Sequence, residues 1–96
     1  MFIHSVLFEV KPSQVKDYRK DSKMWARHAR KAKGFKLYMT VQRNKHRHQY
    51  ASVYVWKDKT SHTRFMNKFH DWLESKSQAE VKVLGYYNFQ GLDQIK

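Results

Sequence analysis

The sequence predicts an α+β fold in which a four-stranded antiparallel sheet carries two helices on one side. Apolar residues alternate with period two over residues 2–10, 35–41, 49–56 and 81–89, as strands require. Two intervening segments repeat apolar residues at three- and four-residue steps, as amphipathic helices do. The polar connection 43–48 between the middle strands is short enough for an antiparallel hairpin. Together these give the order β-α-β-β-α-β.

In the first strand Phe2, Val6, Phe8 and Val10 share one face, while Ile3 and Leu7 lie on the other. Both faces therefore call for burial. Pro12 and Ser13 fit a helix start, with Ser13 placed to cap the free backbone N–H groups. The first helix buries a stripe of Val15, Tyr18, Trp25, Ala29 and Ala32, and Gly34 stands where a left-handed stop belongs. Strand two alternates Phe35, Leu37, Met39 and Val41 with Lys36, Tyr38 and Thr40. Strand three, 49–56, sets Ala51, Val53 and Val55 on one face against Tyr50, Tyr54 and Trp56 on the other. Thr60 or Ser61 can cap the second helix, whose expected buried stripe is Phe65, Met66, Phe69, Trp72 and Leu73. The last strand covers 81–89. This is the ferredoxin-like, split-βαβ plan, with both helices on one face of the sheet.

Strands that are apolar on both sides leave one sheet face uncovered, because the helices roof only the other. A two-fold, sheet-on-sheet homodimer is the self-complementary solution, and it would form a dimeric α/β barrel. At 96 residues the chain is expected to be one domain, 1–96. Six Phe, six Tyr and three Trp must be buried in a core, an interface or around a ligand.

Twenty Lys plus Arg against eight Asp plus Glu give a formal net charge of +12, which favours anionic partners. With no cysteine, disulfides and thiolate metal sites are excluded. The N-terminal apolar stretch lacks a basic preamble and contains Glu9, so it reads as neither signal peptide nor membrane span, and a cytoplasmic location is expected. No glycine-rich phosphate loop, serine-centred elbow or zinc pattern occurs. His46 and His48 flank Arg47 without a third ligand, so no metal site is expected.

The segment FMNKFHDWLESKSQ, 65–78, sets His70 beside Asp71. Neighbours on a helix point about 100° apart, so the expectation is no side-chain bond between them, with Glu74 the better-placed carboxylate. His70 sits at the margin of the apolar stripe, where it either packs its ring or serves as acid or base. His4 and His28 could also line a pocket. On the first helix Lys16, Lys20, Lys23, Arg27, Arg30 and Lys31 align as a basic stripe: a solvated face, or a footprint for nucleic acid or an anionic surface.

With Trp25, Gly34-Phe35, Trp56-Lys57-Asp58-Lys59, Phe65-Met66, His70-Asp71 and Ser77-Gln78 in place, the chain resembles the antibiotic biosynthesis monooxygenase-like superfamily of dimeric α/β barrels, and within it a group of small bacterial members. The resemblance covers nearly the whole chain. It implies a ligand cleft between helices and sheet in each subunit, and either cofactor-independent oxygenation or heme degradation. Heme-degrading members use an Asn, a Trp and a His at places that hold Ser5, Phe65 and Ser75 here. No cofactor is therefore expected, with heme near His70 as the alternative. The cleft is expected around Ser5, Trp25, His28, Phe65, Phe69 and His70, with His70 as the catalytic acid or base. Its expected ligand is a small hydrophobic aromatic, anionic if the net charge is a guide. The competing reading is a non-enzymatic module that docks an anionic partner through its basic helix.

Overall fold

A computed structural model describes residues 1–96. Strand β1 (Phe2–Glu9) leads through a 3-10 turn at Pro12–Gln14 into helix α1 (Val15–Ala29). Strands β2 (Phe35–Gln42) and β3 (Gln49–Trp56) form the hairpin, helix α2 (Lys59–Lys76) follows, and β4 (Lys82–Gln90) closes the sheet. The strand order is β2-β3-β1-β4 with every pairing antiparallel. The expected βαββαβ architecture is the one observed.

Period-two alternation decides the faces. Phe2, His4 and Val6 of β1 and Ser52, Tyr54 and Trp56 of β3 point to the helices and are buried. Trp56 and Leu73 have no exposed surface, and the Phe65 ring packs tilted against Trp56 with centroids 5.3 Å apart. Phe2, Ala29 and Tyr54 complete this core cluster.

Helix boundaries differ from the sequence reading in their caps. Ser13 caps nothing: no side chain accepts at the start of either the 3-10 turn or α1. Pro12, already at φ near the helical value and lacking an N–H, starts the turn without one. At α2 the cap is Asp58 rather than Thr60 or Ser61. Its carboxylate accepts from the Ser61 backbone N–H at 2.8 Å and from the Ser61 hydroxyl at 2.7 Å. Helix α1 ends at Ala29 with Arg30 as its cap, and Gly34, at φ 88°, makes the left-handed turn directly into β2 rather than the helix stop expected there. A Cβ at Gly34 would meet the Ser61 side chain, so strand β2 and the start of α2 approach each other only because this residue is glycine.

Trp72 departs from its expected place in the buried stripe and is 49% exposed. Its ring stands edge-on to His28, 5.1 Å away, on the solvent side of the helix pair. On the sheet face away from the helices, Leu37, Met39, Val41, Tyr87 and Phe89 all remain exposed. The rear of the sheet is therefore apolar and uncovered by this chain. No helix is long and apolar enough to cross a membrane.

Candidate functional site

A cavity of about 490 Å³ lies between the two helices and the sheet. Its floor is His4, Val6 and Phe8 of β1 with Ser52 and Tyr54 of β3, and Tyr38 stands on the β2 side. Tyr18, Ser22 and Trp25 of α1 form one wall, and Met66, His70 and Glu74 of α2 form the other. Ala79, Val81, Val83 and Tyr86 close the end towards β4. Small side chains at Ser22, Ser52 and Ala79 leave room that larger ones would fill, while Tyr18, Trp25 and Tyr54 give aromatic surface. The volume falls within the range of small-molecule sites.

His70 and Trp25 meet at the cavity edge with ring centroids 5.8 Å apart. Trp25 is fixed by donating its indole N–H to Ser77 Oγ at 3.0 Å, and Ser77 in turn donates to the Leu73 carbonyl at 2.9 Å. This chain of bonds ties α1 to the C-terminal turn of α2. His70 has a carboxylate at each nitrogen: Asp71 Oδ1 lies 3.0 Å from Nδ1 and Glu74 Oε2 lies 3.4 Å from Nε2. The Asp71 contact overturns the expectation that these neighbours cannot touch. Their Cβ atoms diverge, but Nδ1 is only two bonds beyond Cβ, and a freely rotating, exposed carboxylate reaches back to it.

Deeper in, Tyr18 and Ser52 share a buried hydrogen bond of 2.8 Å. Burial pushes the Tyr18 phenol up to about 12, although the Ser52 hydrogen bond works in the opposite direction. Burial likewise holds the Tyr54 phenol well above its ordinary value. Both phenols therefore present O–H groups rather than phenolates near neutral pH. His4 is 5% exposed, and its Nδ1 lies 2.6 Å from Asn88 Oδ1. Its ring faces His62 at 4.3 Å, and neither His4 Nε2 nor His62 Nδ1 has a hydrogen-bond partner. Desolvation lowers the His4 pKa, partly offset by Asn88 and reinforced by His70. His62 is lowered to about 4, by desolvation first and then by His4 and Lys59.

Of the six residues expected at the cleft, Trp25 and His70 line it. Ser5 does not: it lies on the opposite sheet face with Ile3 and Leu7, donating to the Tyr87 carbonyl at 2.6 Å. Alternation makes the two positions exclusive, and His4 takes the inward one. Phe65 is 2% exposed and belongs to the core beneath Trp56. Phe69 extends that core outward to His28, 5.9 Å away, and His28 is held through Nδ1 by the Met24 carbonyl at 3.0 Å. Both lie outside the cavity. Tyr54 was legible as an inward residue from strand alternation, whereas nothing in the sequence marked Ser22, Ser52 or Ser77 as site residues.

The lining holds Asp21 and Glu74 and no Lys or Arg. The cationic surplus of the chain therefore does not extend into the cavity, whose lining offers no Lys or Arg to pair with an anionic ligand. This also argues against heme, whose two propionates would find no cation and would face carboxylates instead. No cluster of three or more His, Cys, Asp or Glu side chains could hold a metal ion.

No family model and no curated protein matches the chain. Solved structures do match in fold. An antibiotic biosynthesis monooxygenase-like protein from Nitrosomonas europaea superposes with TM-score 0.76 at 12% identity, over 97% of this chain and all of its own (100%). A similar protein from Deinococcus radiodurans gives 0.72 at 13% identity, over 100% of this chain and 97% of its own. SnoaB, a cofactor-independent oxygenase from Streptomyces nogalater, gives 0.74 at 12% identity, over 98% of this chain and 95% of its own. The chain thus has the ferredoxin-like fold of the antibiotic biosynthesis monooxygenase-like proteins.

Proposed function

We propose that the chain is a homodimeric, cofactor-independent monooxygenase-type enzyme that takes a small, neutral, hydrophobic aromatic substrate into the helix–sheet cleft. The observation that carries this reading is the cavity itself: aromatic walls, hydroxyl donors from Tyr18 and Tyr54, and one imidazole at the edge. A fold shared with a cofactor-independent oxygenase agrees with it.

The chemistry suits a substrate with an acidic C–H next to an aromatic ring. His70 accepts that proton at Nε2, beside Glu74, while Asp71 holds the other side of the ring. The resulting carbanion reduces O₂ and bonds to it. The peroxide then loses water, so that CH₂ plus O₂ becomes C=O plus H₂O, with all four electrons supplied by the substrate. Apolar walls keep water from the carbanion.

Oxygen uptake with a tricyclic phenol bearing a doubly benzylic CH₂ tests the activity. His70→Ala should abolish uptake while leaving the circular dichroism spectrum unchanged, and undiminished uptake in that variant would remove His70 from the mechanism. The dimer belongs to the same reading. A second copy would cover the exposed rear residues Leu37, Met39, Tyr87 and Phe89, which a stable single subunit would otherwise leave wet.

A further inference from the structure

Helix α1 presents an arc in which every position is a cation. With 3.6 residues per turn, Arg19, Arg30, Lys23, Lys16, Arg27 and Lys20 follow one another around about 100° of the helix surface. All six are exposed. Along the axis they run about 21 Å, from Lys16 to the helix cap Arg30. Arg19, absent from the sequence-level stripe, joins it because the structure turns the helix so that Tyr18 and Ser22 face inward.

These charges have no internal partner. The ion pairs of the chain are the two made by His70, so no Lys or Arg lies within pairing distance of a carboxylate. Asp21, the acidic residue in the middle of α1, instead accepts the backbone N–H groups of Gln78 and Ala79 at 2.8–3.0 Å. Like charges at three- and four-residue steps weaken a helix by a few tenths of a kcal/mol per pair. The arc therefore costs stability, and nothing within the fold offsets it.

We infer that this face of α1 binds the phosphate backbone of duplex nucleic acid, without base specificity. Charge complementarity selects a polyanion, and the shape of the arc selects among polyanions. Six cations on long side chains, spread over a curved arc, can reach the two phosphate walls of a groove about 12 Å wide. An anionic bilayer would also favour apolar or aromatic side chains to insert, and the arc contains none. The same absence leaves no ring on which single-stranded bases could stack. At the end of the sheet where β1 closes, the β2–β3 turn adds exposed Arg43, Lys45 and Arg47 near the start of the helix segment, tethered by the Val10 N–H bond to the His48 carbonyl at 2.8 Å. This inference stands independently of the cleft chemistry.

Fluorescence anisotropy with a labelled 20-base-pair duplex and the full chain tests it. Engagement of about five phosphates gives a log–log salt slope of about −4.5, or roughly 500-fold weaker binding at 200 mM than at 50 mM salt. The double variant Lys23→Gln/Arg27→Gln should weaken binding and flatten that slope by about 2, while its thermal midpoint stays level or rises as repulsion is relieved. The matched pair on α2, Lys68→Gln/Lys76→Gln, should leave the duplex affinity unchanged. No duplex binding at 50 mM salt, an equal loss from the α2 pair, or binding confined to phosphatidylserine vesicles would each overturn the inference, the last by giving this face to a membrane.

Discussion

His4 Nδ1 lies 2.6 Å from Asn88 Oδ1, so a buried imidazole on the central strand donates to an amide on the edge strand and keeps Nε2 as its unprotonated nitrogen. That bond fixes the tautomer of a histidine on the cavity floor, and it opposes in part the lowering of the His4 pKa that burial causes.

Stability should fall on acidification. His4 and His62 are both depressed in the folded chain, His62 to about 4 from an ordinary 6.5. A depressed histidine means that the unfolded chain binds protons more readily, so the stabilisation is complete above about pH 6.5 and is lost as pH falls towards 4. Around the pair stand His70, Lys59, Asn88, Tyr54 and Tyr86, none of them a carboxylate that could compensate. Thermal melts from pH 7.5 to 4 should show this decline, and His62→Phe should flatten it. An unchanged slope in that variant would assign the acid lability elsewhere.

Tyr18→Phe should cost about 1 kcal/mol, because it leaves Ser52 Oγ buried without its 2.8 Å partner. Adding Ser52→Ala should cost less than the two single effects summed. Urea denaturation of the four-member cycle reads the coupling directly, and additivity would mean that the hydroxyls do not interact in solution.

Gly34→Ala should destabilise by at least about 1–2 kcal/mol, since φ 88° disfavours any side chain and the new Cβ meets Ser61. For a domain of this size each kcal/mol lowers the thermal midpoint by about 4–8 °C. Combining it with Ser61→Gly should recover part of the loss, the part due to contact and not the part due to the dihedral.

Phe89→Glu and Leu37→Glu place a charge on the exposed rear of the sheet, where the side chains are 57% and 49% accessible in the single subunit. In sedimentation equilibrium the parent chain is expected as a dimer and the double variant as a folded monomer. A parent chain that sediments as a monomer would refute the proposed two-fold interface.

Element order, faces and the basic helix were decided by the sequence itself, because each depends on periodicity that is local in the chain. Phe2, Val6 and Trp56 alternate inward in any sheet that uses these strands, and Gly34 marks its own left-handed turn. The cavity was decided by tertiary structure. Whether Phe65 fills the core or lines the space beside it, and whether Asp71 reaches His70, depend on helix placement and side-chain rotation. Those are long-range quantities, set by how the two helices lie across the sheet, and the chain does not spell them out residue by residue. The electrostatic outcome follows the same division: the surplus of Lys and Arg is plain in composition, but only the packed structure places all of it outside a cavity edged by Asp21 and Glu74.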